Sequence, residues 1–540
     1  MNHDTPHRMN TTAEPENNTS PHRLRFALLG LLFVLFASST WIVTAQHELG
    51  ATFDEPFYTA KGLTHWRTGS YRELMRAGTM PLPVDVQTLP LYLWERERGS
   101  AWDARDDLPQ LLPIARKMNL IFWWLLLVNT FRFALLLGGP RCACLAVGLL
   151  GFEPNFLAHA CLATTDIAIA AAVMTAAFQF LKHRESAWFR RVGVPGFWYG
   201  IALLCKASAL LFVPLLLIVL GYLHVQRRTL LRDLVTIGFI GFGVMFLYVN
   251  TDAKPEPSFI KWANGLPDGP SVEYVRTIAR ELCIFPNAGE GLVQQIKHNM
   301  RGHGCFVLGE WHPRAVWYYF PIIFSQKLSE PLLLLLALAV WKRENLRHPL
   351  AVASFVLLVF SLTCRVQIGI RLMLPTVCVF ILFAAYAART WPKLGAAAVL
   401  AMMTIATLNW PDGLQYQNRL WGSSETAREH FTDSNYDWGQ GLPQLKQWMH
   451  ATNEAELHVW YYGGDPAILK PPFRWVAIQH EPEPSIEALK QRVGTGTLAV
   501  SDSFFTGCPD RRPATLAIVQ WLRAQKPAAR VNTFTLYRFR

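Results

Sequence analysis

The chain has 540 residues, of which 51% are hydrophobic, 13% are aromatic and only 17% are charged. This composition excludes an ordinary soluble protein, because the apolar residues exceed what a soluble domain can bury. The formal net charge of +12 lies largely in short connections between apolar runs, so it requires no nucleic-acid partner.

The apolar residues are gathered in runs about as long as a membrane crossing. The first run, residues 26–43, is preceded by Arg23 and Arg25, and a segment of roughly 20 apolar residues crosses a hydrocarbon core of about 30 Å. Because the residues before this run are polar and show no cleavage pattern, the run is expected to be an anchor. Further runs lie at 118–138, 141–160, 163–182, 194–206, 207–225, 232–250, 329–341, 349–364, 370–388 and 393–410. Together they predict a polytopic α-helical membrane protein with about eleven transmembrane helices.

The basic residues of the short connections predict the orientation. Four alternate connections carry them, and all four lie on the side of the N-terminus if the count of eleven holds. A cytoplasmic N-terminus and an outer C-terminus follow, in the cytoplasmic (inner) membrane. The residues concerned are Lys182, Arg184, Arg190, Arg191, Arg227, Arg228, Arg232, Lys342, Arg343, Arg347, Arg389 and Lys393.

The predicted organisation has three parts. Residues 1–23 form a polar cytoplasmic tail, and residues 24–410 form the transmembrane domain, with large outer loops at 47–115 and 251–328. Residues 411–540 alternate short apolar runs with helical patterns, which predicts a small α/β domain outside the membrane.

Two acidic positions stand at the predicted outer ends of apolar runs. Asp54 and Glu55 follow the first run, and Asp166 begins the fourth, with His159 shortly before it as a second-rank candidate. Carboxylates at this depth are costly to desolvate, so they usually serve a function. The plainer readings are a loop turn for the acidic pair and a dipole-favoured helix N-terminus for Asp166.

Three cations also lie on the predicted outer side, against the positive-inside bias. Lys206 stands between two apolar runs, while Arg365 and Arg371 flank a short segment between the ninth and tenth runs. A phosphate arriving from the bilayer would suit them as a partner. The alternative for Lys206 is that its ammonium group snorkels to the membrane surface.

Three further predictions concern the outer side. Glu310 is a second-rank acid in the second large loop. Cys283 and Cys305 share that loop and are candidates for a disulfide in an oxidising compartment, or else remain free thiols. A divalent cation, Mg²⁺ or Mn²⁺, is the one cofactor considered, with Asp166 as the residue that would hold it.

The chain resembles a known family. Its motifs, taken in order, look like those of the bacterial branch of the dolichyl-phosphate-mannose protein mannosyltransferase-like family, which are integral-membrane glycosyltransferases of the GT-C architecture. Each motif is weak alone, but their order extends from about residue 25 to residue 540. The motifs are Asp54-Glu55, the Asp166 region, and residues 200–214, 308–313, 317–321, 368–375 and 433–440. One departure is Leu372, which stands where many relatives carry a histidine.

The resemblance implies transfer of a hexose or pentose from a polyprenyl-phosphate carrier to an acceptor hydroxyl on a protein or glycolipid, with inversion at the anomeric carbon. In that hypothesis Asp54 is the general base, and Lys206 and Arg371 stabilise the departing phosphate. Glu55 and Asp166 would orient the loop or hold a metal ion.

Two other classes of function stay open. In a transporter or lipid flippase the intramembrane charges would mark a substrate path. In a receptor-like or scaffold protein the outer α/β domain would bind a partner, and loss of Asp54 would be tolerated.

Overall fold

The computed structural model describes residues 21–540 except 225–226, 253, 256, 284–285, 425, 508 and 540. Most of the predicted cytoplasmic tail therefore lies outside the described residues. The first half is helical. Its helices are α1 Pro21–Ala45, α2 Glu55–Thr68, α3 Arg72–Arg76, α4 Leu82–Arg98, α5 Leu108–Gly151, α6 Pro154–Ala160, α7 Asp166–Lys182, α8 Trp188–Cys205, α9 Ala209–His224 and α10 Arg227–Val249.

Helices continue to residue 408, interrupted by one hairpin of two short antiparallel strands. The elements are α11 Pro257–Asn264, α12 Pro270–Glu281, α13 Pro286–Arg301, β1 Cys305–Val307, β2 Glu310–His312, α14 Tyr319–Lys327, α15 Glu330–Trp341, α16 Pro349–Ser361, α17 Leu374–Ala388 and α18 Pro392–Leu408.

Apolar helices occupy each of the predicted runs, although not always at full membrane length. Across the described residues, four helices are long and apolar enough to cross a membrane by length and composition, and the bent pair α14 and α15 would add a fifth. The four are α1, α5, most of α10, and α17 with the residues just before it. The count of eleven stays a prediction, because α9, α16 and α18 are shorter than a full crossing.

One of the predicted breaks is visible in the backbone. The runs 118–138 and 141–160 are joined in α5, which kinks at Gly139 (φ 74°) just before Pro140. Glycine adopts this left-handed conformation without strain, and proline then restarts the helix. The second run ends at Gly151, and the residues up to 160 form the separate short helix α6.

The helical part packs around α7. Nearly every residue of α7 is buried, as expected for a helix that is apolar all round and lies inside a bundle. Helix α1, in contrast, exposes Phe26 and Phe36 on the outside of the bundle. Helices α5, α8, α9 and α17 all lie against α7.

The elements of the C-terminal region are α19 Ala427–His430, α20 Leu442–Thr452, β3 Leu457–Trp460, β4 Phe473–Trp475, α21 Ile486–Val493, β5 Thr497–Ser501, α22 Asp502–Phe505, α23 Pro513–Arg523, β6 Ala529–Val531 and β7 Phe534–Arg538. The strands form a five-stranded sheet of order β4-β3-β5-β7-β6. Strand β3 runs parallel to β4 and β5, and β7 runs antiparallel to β5 and β6. One face packs on α20 and the other on α21 and α23, so both faces are covered. The helices and this small sheet agree with the predicted fold class, while the domain boundaries stay predictions.

The sequence leaves Cys283 and Cys305 open to a disulfide or to free thiols. The structure has the second alternative, because both residues are free thiols. Cys283 follows α12, where its carbonyl oxygen accepts a hydrogen bond from Thr251 Oγ1. Cys305 is buried in β1 opposite His312. Sharing one loop in sequence therefore did not bring the two sulfur atoms together.

Candidate functional site

The loop before α2 is held between the helical bundle and the C-terminal sheet region. The amide of Gly50 donates to the carbonyl of Gln440, and the amide of Phe53 donates to the carbonyl of Trp438, each over 2.9 Å. The amide of Ala51 donates to Asp465 Oδ2. These bonds fix the loop at the point where Asp54 begins the helix.

Asp54 and Glu55 face different partners. The reason is helical geometry, because successive residues at a helix start point about 100° apart. Asp54 Oδ2 lies 3.0 Å from Arg371 Nη1. Glu55 turns inward to Arg116.

The buried Glu55–Arg116 pair stabilises the loop. Arg116 Nε and Nη2 donate to Glu55 Oε1 and Oε2 over 2.8 and 2.7 Å. The Glu55 carboxylate also accepts from the amides of Thr52 and Ala163. Burial raises the pKa of Glu55, but Arg116 and these amides outweigh it and hold the pKa below its usual value. Glu55 is thus ion-paired and holds the loop to α5 through Arg116.

Four charged side chains from distant segments meet at one place. We call Asp54, Asp166, Lys206 and Arg371 the charged cluster. Lys206 Nζ lies 2.6 Å from Asp166 Oδ1, and Arg371 Nη1 lies 3.7 Å from Asp166 Oδ2. Arg371 therefore bridges the two carboxylates.

The burial of the charged cluster is graded. The Asp166 side chain is fully buried and Arg371 nearly so, whereas Asp54 and Lys206 are 25% and 23% exposed. Asp54 and Lys206 can thus be reached from outside while Asp166 anchors them. Charges buried to this extent require such pairing, because an isolated charge would be very costly to desolvate.

The segment 433–440 completes the site from the C-terminal side. Arg371 Nε donates to Ser434 Oγ over 3.0 Å, and the Arg371 guanidinium lies 4.1 Å from the centre of the Trp438 ring. Asn435 Oδ1 accepts a hydrogen bond from the amide of Ile370. Gly369 (φ 150°) permits this approach, because a Cβ there would collide with Ser434 Oγ.

Two further groups near the charged cluster have shifted pKa values. Burial and the nearby Asp54 carboxylate raise the pKa of the Tyr58 phenol well above its ordinary value, so Tyr58 is a neutral hydrogen-bond donor. Burial also raises the pKa of Asp433, although Arg371 opposes the rise, and Tyr462 donates to Asp433 Oδ2 over 2.9 Å.

The remaining predicted residues are placed differently. The buried His159 ring lies 6.3 Å from Trp438, at the edge of the site. Arg365 is exposed, and its carbonyl accepts the amide of His303. Glu310 is exposed in β2 opposite Val307. No hydrogen bond or ion pair joins Arg365 or Glu310 to the charged cluster in the described part of the chain.

The Asp166 carboxylate, the expected ligand of a divalent cation, is instead paired with cationic side chains in this structure. Such ions take six or more oxygen ligands, mostly from carboxylates, carbonyls and water. Both oxygens of Asp166 face cationic side chains, and the residues that the structure describes hold no group of three metal-ligating side chains. The positive charge at this site comes from Lys206 and Arg371.

Sequence reasoning assigned no role to Ser434, Trp438, Tyr58 or Arg116. The first two lie in the quoted motif 433–440, which was the available signal for them. Arg116 lies in α5 just before the apolar run 118–138, where a basic residue is ordinarily taken as a membrane-surface anchor.

No family model matches the chain, and no curated protein matches it in sequence. Among solved structures, ArnT from Cupriavidus metallidurans bound to undecaprenyl phosphate is similar at 13% identity and a TM-score of 0.46, over 94% of this chain and 97% of that chain. The archaeal oligosaccharyltransferase AglB from Archaeoglobus fulgidus, in complex with an inhibitory peptide and a dolichol-phosphate, is similar at 11% identity and a TM-score of 0.46, over 88% of this chain and 70% of that chain. Because both TM-scores lie below 0.5, these similarities carry no argument about the function of this chain.

Proposed function

We propose that the protein is a membrane glycosyltransferase that moves a sugar from a polyprenyl-phosphate carrier to an acceptor hydroxyl. One observation carries the proposal: Arg371 Nη1 lies 3.0 Å from Asp54 and 3.7 Å from Asp166, and Asp166 in turn holds Lys206 at 2.6 Å. A carboxylate that can act as a base thus contacts one cation, Arg371, and Asp166 links that cation to a second, Lys206, so that both can receive a phosphate.

In the proposed reaction each group has one step. The acceptor hydroxyl gives its proton to the Asp54 carboxylate as its oxygen attacks the anomeric carbon. The bond between that carbon and the phosphate oxygen breaks, and the electron pair leaves with the polyprenyl phosphate. Arg371 and Lys206 stabilise the charge on that phosphate, and attack opposite the leaving group inverts the anomeric carbon.

Asp166 and Trp438 act through other residues. Asp166 fixes Lys206 and Arg371 by charge, and Trp438 covers the face of the Arg371 guanidinium. A phosphate bound beside Arg371 would place the sugar next to Asp54, because Arg371 contacts Asp54 directly. Such positioning lowers the entropy cost of bringing the reacting groups together.

The proposed setting is the outer face of the cytoplasmic membrane. The basic short connections support a cytoplasmic N-terminus, and the C-terminal region that covers the charged cluster then lies outside. A lipid-linked donor suits this side, where free nucleotide sugars are scarce. The acceptor is a protein or a glycolipid.

Two features favour an enzyme over a transporter or a scaffold. The charged cluster lies at helix ends beneath residues 433–440, whereas a transport path would place charges along the helices. A scaffold would not require a partly exposed carboxylate in contact with a buried arginine.

The test is an assay of sugar transfer by the purified protein in detergent. Polyprenyl-phosphate-linked sugars are the donors, and the released polyprenyl phosphate is measured. Asp54→Asn should lower the rate about 10²–10⁴-fold, which is the usual contribution of a general base. Asp268→Asn, an exposed control, should keep the wild-type rate. Transfer by folded Asp54→Asn at the wild-type rate would contradict the mechanism. Mass spectrometry of envelope glycans with and without the protein would then identify the sugar and the acceptor.

A further inference from the structure

A second cleft lies where the hairpin β1–β2 meets the C-terminal region. Its volume is about 430 Å³, and its lining includes Phe306 and Gly309 of the hairpin and Arg428 of α19. The hairpin is attached beside it, because the Arg511 guanidinium lies 4.9 Å from the centre of the Trp311 ring. None of the residues of the charged cluster lines this cleft.

Three arginines from three elements converge on the cleft: Arg428, Arg523 and Arg530. Arg428 has a carboxylate neighbour, Glu429, at 3.8 Å. Arg523 donates to the carbonyl of Phe505, and neither Arg523 nor Arg530 has a carboxylate within ion-pair distance among the described residues. Two guanidinium groups are therefore free to take an anion.

The lining has two acidic groups, Glu429 and Asp502, and among the described residues neither forms an ion pair with Arg523 or Arg530. Asp502 is buried, its Oδ1 accepts from Thr535 Oγ1 over 2.7 Å, and its Oδ2 accepts from the Tyr436 hydroxyl over 3.3 Å. Both carboxylate oxygens are thus occupied by donors of the protein. Asp502 helps to shape the floor of the cleft and leaves Arg523 and Arg530 to a ligand.

The lining also includes three aromatic residues, Phe306, Phe505 and Tyr537. The volume lies within the range of small-ligand sites, roughly 300–1,000 Å³. Arginine forks suit phosphate and carboxylate oxygens, and the aromatic faces suit the carbon skeleton of a ring. We infer that this cleft binds a sugar unit that carries a phosphate or a carboxylate, with Arg523 and Arg530 on the oxyanion.

The inference goes beyond the proposed function, because the cleft is separate from the charged cluster. Its test measures binding and needs no turnover. The experiment titrates the purified full-length protein in detergent with glucose 6-phosphate, glucuronate, inorganic phosphate and glucose at matched ionic strength, and records the unfolding temperature. At least one of the two anionic sugars should stabilise the protein saturably, phosphate should do so more weakly, and glucose should have no effect.

The variant Arg523→Gln/Arg530→Gln should weaken binding of the anionic sugar roughly ten-fold or more, because each lost contact is charge-assisted. The control Arg474→Gln/Arg538→Gln removes the same charge from exposed arginines outside the cleft and should bind as wild type does. Equal affinities in the two double variants, or no saturable stabilisation by either anionic sugar, would overturn the inference. Equal affinities for phosphate and the anionic sugars would overturn its sugar part.

Discussion

At the scale of single residues, the two members of the Asp54-Glu55 pair have opposite characters. Asp54 is partly exposed and contacts Arg371, whereas Glu55 is fully buried and contacts Arg116. The exposed carboxylate can meet a substrate. The buried carboxylate contributes to the shape of the loop. Replacing a carboxylate by an amide should therefore lower activity at Asp54 and lower stability at Glu55.

Glu55→Gln is expected to destabilise the protein. It leaves Arg116 buried without its carboxylate, and breaking a buried pair costs about 3–5 kcal/mol. Thermal unfolding in detergent measures the loss, with the exposed Glu487→Gln as the control. The double variant Glu55→Gln/Arg116→Met should recover part of the loss, because it removes the unpaired charge. A wild-type unfolding temperature in Glu55→Gln would contradict the positioning role.

Lys206→Met should weaken use of the donor and not of the acceptor. The substitution keeps the apolar stem and removes only the ammonium group. A charge-assisted contact with phosphate contributes about 1.5–3 kcal/mol, so the apparent donor affinity should fall roughly ten- to a hundred-fold. Titrations of donor and acceptor separate the two effects, and the exposed Lys446→Met is the matched control. An unchanged donor dependence would place the phosphate elsewhere.

At the scale of elements, the segment 433–440 joins the charged cluster to the sheet. Ser434 and Trp438 contact Arg371, while the Asp437 carboxylate accepts the amide of Ser503 at the start of α22. One short segment therefore links the conformation of the C-terminal region to the position of Arg371.

Asp437 gives this junction a pH dependence. Burial raises the pKa of Asp437 from 3.8 to about 7, although hydrogen bonds from Ser503 oppose the rise. A carboxyl whose folded pKa is raised favours the protonated folded state, so its contribution to stability is present below about pH 4 and is lost as the pH rises towards 7. Asp437→Asn should flatten this part of the profile. Unfolding temperatures between pH 4 and 8 measure it, and identical slopes in both proteins would contradict the assignment.

At the scale of the whole molecule, the bundle and the C-terminal region each supply part of one site. The helical part supplies the charged cluster. The C-terminal region supplies Ser434 and Trp438, which contact Arg371. If the topology is as proposed, both parts of the site lie outside the cytoplasm.

The topology is tested by reporter fusions at Arg228 and at Ala529. With a cytoplasmic N-terminus and an outer C-terminus, the two reporters should show opposite compartments, because Arg228 lies at the basic start of α10 and Ala529 begins β6 of the C-terminal sheet. A fusion after Lys393 serves as a second cytoplasmic control. The same compartment for both would refute the orientation.

The sequence by itself determined the apolar runs, the mixed helix and strand pattern after residue 411, and the residue types of the charged cluster. These follow from local periodicity and from the cost of placing charge at a membrane surface. Only the tertiary structure decided that Glu55 pairs with Arg116, that Arg365 and Glu310 do not reach the site, and that Cys283 and Cys305 stay apart. The physical reason is that such contacts join residues far apart in the chain, and their distances are set by packing, which local sequence does not encode.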